Sequence, residues 1–407
     1  MPSVSGLASK FSKRLEDSLN KHVSEFFNND SSSHDSPYPY QQPIHQQNAP
    51  APYRHNPGPY FFPQRRPPGS PAPVRHPSSD PRKVEVAHVE ELGVVKSSTT
   101  RVERDLGFQG RLGDHVLITY GDTMFRDENW SDNFIGMTCN SVAIATPNPI
   151  SVYDPLLDDR GFPKHLLEPS KEYGETHHSL GITNVVELED GRGLLYFLLN
   201  YREHVESDIQ GAGVAEVYVD VDQHSGQPVP RATRLCRWWW DGKTEPWYGD
   251  CCSVRFNGFV YALGHKNENP WVYVARVPER EAFNLEAYEY WNGTGWQRER
   301  LIGALGEKES IMWQTGQGQI FWSEYHGCLC FVYCDAWWTD QVLIRTAKCP
   351  EGPWTEAQTL YKAIRHRSDG CIYAATPHPY FDPSGKTLVI TYTNMPAVVE
   401  AIKVTFV

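Results

Sequence analysis

From Val84 to the C-terminus the chain repeats one order of events roughly every 50–60 residues, and this repeat limits its fold more than any other feature. Each unit has a polar opening, an apolar strand that folds back at a Gly turn, a third strand ending in a small or basic residue, and a Trp-bearing outer strand. In one unit Gly249-Asp250 opens, Asn257-Gly258 turns, Val272 to Arg276 forms the third strand and Gly295-Trp296 closes. In the next, Glu309-Ser310, His326-Gly327, Val342 to Thr346 and Gly352-Pro353-Trp354 take the same places. A further unit begins at His177-His178 and turns at Asp190-Gly191. Four-stranded units of this length bury their faces against neighbouring copies, as propeller blades do. Counting gives five units, at about 100–150, 176–236, 248–300, 308–362 and 370–407. The last is short, so Val84 to Val95 is expected to complete it and close the ring, which removes exposed sheet edges.

The strand pattern agrees. Val116 to Tyr120, Leu194 to Leu199, Phe259 to Leu263, Trp271 to Ala275, Cys328 to Cys334, Gln341 to Thr346 and Thr387 to Tyr392 are short apolar runs broken by Gly, Pro, Asn and Asp. The 13 Trp and 21 Tyr suit pleated, half-buried surfaces and also the faces of sugar rings. The expected class is all-β: a five-bladed β-propeller over residues 84–407, preceded by two segments of different character.

Residues 1–27 contain Leu7, Phe11, Leu15, Leu19, Val23 and Phe26 at spacings of three and four, opposite Lys10, Lys13, Arg14, Glu16, Asp17 and Lys21. This predicts a short amphipathic helix. Its mixed-charge polar face fits a protein surface better than a membrane surface. Residues 28–83 are dense in Pro, Gln, Ser, His and Asn and are expected to form a disordered linker. Within them Arg65 to Pro71 sets an Arg before PxxP spacing, which an SH3-like groove would accept; a plain linker is the alternative.

The net charge is −12, with no Lys/Arg cluster in the globular part, which argues against nucleic acid as a partner. No run of 18 or more apolar residues exists, so no membrane span is expected. The first residues lack an apolar leader core, and the protein is read as intracellular, cytoplasmic, with its nine cysteines reduced. Cys328, Cys330 and Cys334 share one strand face and are expected to be buried hydrophobes; side chains spread along a straight strand cannot surround one ion. Cys251-Cys252 and His177-His178 lack metal-site spacing. No catalytic metal and no cofactor are implied, although a structural Ca²⁺ in the channel is compatible with the fold.

The first unit carries the chemistry. Gly113-Asp114 is a turn signal, and a hairpin folded about it sets residue 105 nearly opposite residue 122. Opposed residues in an antiparallel pair lie roughly 4.5–5.5 Å apart at Cα, so Asp105 and Asp122 would meet at one rim. Two carboxyls at that range push one pKa up, which yields the acid and the base or nucleophile of glycoside hydrolysis. The alternative is structural: Asp105 pairs with Arg104 or caps a turn, and Asp122 makes an Asx turn. The remaining rim candidates are Asp250, Glu309, Glu324 and His378. Trp313, Trp337 and Trp338 could stack on sugar faces, though propeller tryptophans usually pack between blades.

The segments Arg104-Asp-x-Gly-Phe108, Ile118-Thr-Tyr-Gly-Asp-Thr123, Asn140-Ser141, Val274-Ala-Arg-Val-Pro278, Tyr288-x-Tyr-Trp-x-Gly-x-Gly-Trp296, Gly352-Pro-Trp354 and His378-Pro379 follow one another in a characteristic order. In this the chain resembles a propeller family long known only as a domain of unknown function, some members of which are endo-D-arabinanases. That family is similar in architecture to the five-bladed arabinanase and invertase-like glycosidases. The resemblance implies a glycan-directed site at the channel mouth. Asp105 and Asp122 match the family's acidic pair, and Asn140, Asp250, Glu309, Trp313 and His378 are the expected substrate contacts. The chain departs from a typical member in its tail, its lack of a leader and its second unit. The resulting expectation is a carbohydrate-active hydrolase. The alternative is a non-catalytic propeller that binds glycan or protein while its tail recruits partners.

Overall fold

The computed structural model describes residues 74–77, 83–127, 134–202, 208–223, 225–266, 269–335, 339–368, 370–395 and 397–407. The expected helix within 1–27, the Arg65 to Pro71 motif, and Trp337 and Trp338 lie outside these residues. Among the described residues the only helical turns are four short 3₁₀ segments, and everything else regular is β.

The strands form five antiparallel runs in chain order. The first holds Val102–Leu112, His115–Arg126, Ser141–Ala145 and Ser151–Tyr153. The second holds His178–Glu187, Gly193–Tyr201, Asp208–Val221 and Pro228–Arg234. The third holds Cys252–Phe256, Phe259–Lys266, Asn269–Pro278, Glu289–Trp291 and Trp296–Gln297. The fourth holds Thr315–Ser323, Cys328–Asp335, Gln341–Ala347 and Gln358–Lys362. The fifth holds Ile372–His378, Thr387–Asn394 and Val398–Phe406, and its outer strand is Val86–Val94. A single parallel pairing, Gly318 with Ala375, joins the last two runs into one eight-stranded sheet.

The ring closes as the repeat required. The first strand of each run neighbours the first strand of the next, and that of the fifth returns to the first. Apolar clusters fill the seams between successive runs. Tyr196, Trp240 and Tyr273 lie in one seam, and Cys328, Cys330, Ile372 and Ile402 in another. The molecule is a β-propeller. Val86–Val94 pairs with Val398–Phe406, Val86 opposite Phe406, so the two ends of the domain share one sheet. Cys328, Cys330 and Cys334 are buried, as their strand spacing predicted.

Polar side chains tie the seams. Four carboxamides each grip both the N–H and the C=O of one distant residue. Asn140 holds Leu167 at 2.8 and 3.0 Å, and Asn184 holds Ser253 at 2.9 and 2.8 Å. Gln319 holds Gln109 at 3.1 and 2.6 Å, a rung between the first strands of the fourth and first runs. The fourth is Asn257, which holds Arg75. Val74–Pro77, within the stretch read as linker, is thus placed against the propeller.

Candidate active site

The site starts from the first hairpin. Leu112 pairs with His115 around the Gly113-Asp114 turn, and Arg104 pairs with Thr123. The next pairing is Leu106 with Tyr120, so Asp105 and Asp122 face each other at an irregularity in the ladder. Such a bulge re-aims side chains and often sits beside functional sites. Here Leu106 takes φ 66° and Gly107 φ 122°. A non-Gly residue in this region costs energy that the surroundings must supply. They do so through Thr393, whose Oγ1 accepts the Leu106 N–H at 2.8 Å.

Strand alternation sends Arg104 to the other side of the sheet. Its guanidinium pairs with Asp154 at 2.8 Å and lies 4.7 Å from the centre of the Tyr120 ring. Arg104 therefore does not neutralise Asp105. Asp105 is 8 % exposed, and its Oδ1 has no hydrogen-bond partner. Its Oδ2 accepts from the Tyr373 hydroxyl at 3.1 Å. Burial first, and then the neighbouring Asp122 charge, push the Asp105 carboxyl up to about 8. Both causes favour the neutral form of the Asp105 carboxyl.

Asp122 differs. Its side chain is 19 % exposed, with Arg202 Nη1 4.0 Å from Oδ2. Burial raises its pKa, but the Arg202 charge, the Cys139 thiol and His165 oppose the rise. Two adjacent carboxyls thus sit in environments that separate their protonation, the pattern that divides acid from base in glycosidases.

Tyr373, Cys139, Arg202 and His165 were not anticipated. Tyr373 comes from a second irregularity, between the Tyr373–Thr393 and Thr376–Thr391 pairs, where Ala374 takes φ 53°. It lies 268 positions from Asp105 in sequence, and no local signal reveals that contact. Cys139 precedes Asn140 in the connection between two strands that both pair with His115–Arg126, which was a readable cue. Arg202 directly follows the second strand of the second run. Among the described residues no group of three or more His, Cys, Asp or Glu is placed to hold a metal ion.

The other expected contacts take different places. Asn140 is 0 % exposed and its amide is committed to Leu167 and Leu180, so it frames the site from within. Asp250 bonds His265 Nδ1 at 2.7 Å, and His265 Nε2 reaches the Thr315 carbonyl at 2.9 Å, a tie between the third and fourth runs. Glu309 accepts the Gly306 N–H at 3.2 Å and caps the 3₁₀ turn Glu307–Glu309. His378 is 3 % exposed, with Nε2 2.8 Å from Thr391 Oγ1 and Nδ1 3.1 Å from the Tyr380 hydroxyl. Burial pushes its pKa down to about 3, so it stays neutral in the seam between the first and fifth runs. Glu324 follows the end of its strand, not the start, and pairs with Arg75 away from the carboxylates. Trp313 alone among these presents a large face: it is 40 % exposed and leans on Trp271, ring centres 5.8 Å apart.

The Tyr373 bond makes a testable statement. The hydroxyl donates to Asp105 and favours its ionised form, so Tyr373→Phe raises the Asp105 pKa further. Loss of one hydrogen bond to a charged group corresponds to a fall in turnover of about tenfold. The alkaline limb of the pH–rate profile moves to higher pH. An unmoved limb would remove Tyr373 from the site.

The fold and the pair together define a class: β-propellers with a buried carboxyl pair on the first hairpin of the ring. The chain belongs to the family described as Domain of unknown function (DUF4185), whose model matches residues 102–396. Among solved structures it is similar to a "putative hydrolase" from Bacteroides ovatus ATCC 8483 at 16% identity and TM-score 0.53, over 77% of this chain and 87% of that one. It also matches an exo-beta-1,3-galactanase from Phanerochaete chrysosporium at 10% identity and TM-score 0.43, covering 81% and 67%. A family 117 glycoside hydrolase from Zobellia galactanivorans matches at 10% identity and TM-score 0.41, covering 78% and 90%. No curated protein matches. The likeness to the Bacteroides ovatus structure speaks to fold alone.

Proposed function

We propose that this protein is a five-bladed propeller glycoside hydrolase in which Asp105 carries the proton and Asp122 acts as the ionised carboxylate. One observation carries this reading: the ladder irregularity that sets a buried, proton-holding carboxyl against a more exposed one beside Arg202. Protonation of the departing glycosidic oxygen needs an acid that keeps its proton at neutral pH, and attack on the anomeric centre, directly or through water, needs an ionised partner. Tyr373 holds Asp105 in place. Cys139 and Arg202 favour the charged form of Asp122. Trp313 supplies an apolar face suited to a sugar ring. The family resemblance makes D-arabinofuranosides the first substrates to try.

The test is a panel of aryl furanosides and pyranosides, assayed with the full chain and with Asp122→Asn. At least one substrate is turned over, and the variant loses about 10²–10⁴-fold in kcat, the usual size of an acid–base contribution. Activity that survives Asp122→Asn overturns the assignment. Binding of an oligosaccharide with no turnover of any substrate favours the non-catalytic alternative. The anomer first released, read by proton NMR, separates retention from inversion.

A further inference from the structure

We propose that the propeller face opposite the carboxylate pair is a receptor for an extended, arginine-bearing peptide, occupied here by the chain's own Val74–Pro77. This rests on contacts at the far ends of the first strands and is independent of the hydrolase reading.

Two such ends contact Arg75, and a third lines a cavity with it. Asn257 directly follows Cys252–Phe256, Glu324 directly follows Thr315–Ser323, and Arg111 is the penultimate residue of Val102–Leu112. Asp105 lies near the start of that last strand. Six residues at about 3.3 Å each separate the two levels by roughly 20 Å. The Gln109–Gln319 rung lies between them.

The contacts read both backbone and side chain. Asn257 Oδ1 accepts the Arg75 N–H at 2.7 Å, and Asn257 Nδ2 donates to the Arg75 carbonyl at 3.2 Å. One amide therefore satisfies both backbone groups of one residue, as an added strand would. This is the carboxamide grip that locks three internal seams, turned here on an incoming segment. The Arg75 guanidinium pairs with Glu324 and lies 5.2 Å from the centre of the Trp322 ring. Trp322 Nε1 donates to Glu324 Oε2 at 3.1 Å, which fixes the carboxylate beside the ring. Carboxylate plus aromatic face selects Arg over Lys, because only the guanidinium is planar enough to stack while it pairs. Asn257 takes φ 47°, a conformation that suits Asn at this turn and aims its amide outward. Beside the segment is a cavity of about 210 Å³ lined by Arg111, Tyr380, Asp382 and Phe406, with room for further peptide side chains.

Limited trypsin digestion of the full chain, followed by mass spectrometry, tests the clamp. Cleavage after Arg75 is expected to be slow in the wild type. Asn257→Gly keeps the turn but removes the amide, and Glu324→Gln removes the charge. Each is expected to speed cleavage after Arg75 about tenfold, with the melting temperature unchanged. Equal rates in wild type and both variants overturn the clamp. A free heptapeptide with the sequence of residues 72–78, at millimolar concentration, is expected to accelerate amide exchange at Arg75, while its Arg-to-Ala analogue does not. If neither peptide has an effect, the face is not a receptor open to exchange.

Discussion

Asp105→Asn is expected to melt several degrees higher than the wild type at pH 8, while losing hydrolysis. The sign follows from linkage. In the unfolded chain this carboxyl ionises near 3.8, and in the folded protein only near 8. Between those values the folded state holds a proton that the unfolded state has released. Stability therefore falls as pH rises from about 4 to about 8, by 1.36 kcal/mol per pH unit for an isolated group, and stays level above. The ceiling is about 5 kcal/mol, and sharing of protons with Asp122 lowers it. Asparagine accepts the Tyr373 hydrogen bond without ever ionising, so it escapes the penalty. At about 2–4 °C per kcal/mol, even half the ceiling is an easily measured gain. Melting curves of the two proteins should coincide near pH 4 and diverge up to pH 8. Parallel curves, or a less stable variant, would show that Asp105 is not held protonated. A trade of stability for reactivity is what the acid role proposed for Asp105 entails.

Gly110→Ala should cost about 3 kcal/mol or more, although it adds one methyl group to one strand. A Cβ at residue 110 would lie 2.1 Å from the Val185 carbonyl oxygen and 2.8 Å from the Val185 nitrogen. Both are backbone atoms of the neighbouring first strand, so no side chain can turn aside. The two strands must separate, and with them the ties through Thr119 to the Thr183 carbonyl, 2.8 Å, and through Thr183 to the Gly249 carbonyl, 2.7 Å. Overpacking that moves backbone lies at the upper end of such penalties. Gly113→Ala is the control: φ is +60° but nothing lies within 4 Å, so only the left-handed conformation is penalised, about 1 kcal/mol. Urea unfolding should give a clearly lower midpoint for Gly110→Ala than for Gly113→Ala. Equal midpoints would mean that the ring does not pack this closely at its axis.

Much of this was open to reading before any coordinates. The approach of residue 105 to residue 122 followed from one turn, because a hairpin's register depends mainly on residues within a few positions of it, while the irregularity at that point did not. The unit boundaries followed from alternation and turn residues. The closing strand followed from the shortness of the last unit, since an unfinished blade leaves an edge. Asn140 and His378 were read as substrate contacts, but both are buried and bonded within the protein, which makes them framing groups. Asp250 and Glu309 looked like rim acids and proved to be a seam tie and a helix cap. In each case sequence showed a polar group that needed a partner and could not show that the partner was protein.

The sequence by itself determined the all-β class, the repeat, the closing strand and the facing of Asp105 and Asp122, because strand pairing and turn formation are short-range. Tertiary structure alone decided which acid keeps its proton, that Tyr373 holds it, that Gly110 has no room for a methyl, and that Arg75 is gripped at the far face. Those outcomes depend on desolvation and on contacts between residues up to hundreds of positions apart, and only closure of the ring creates them.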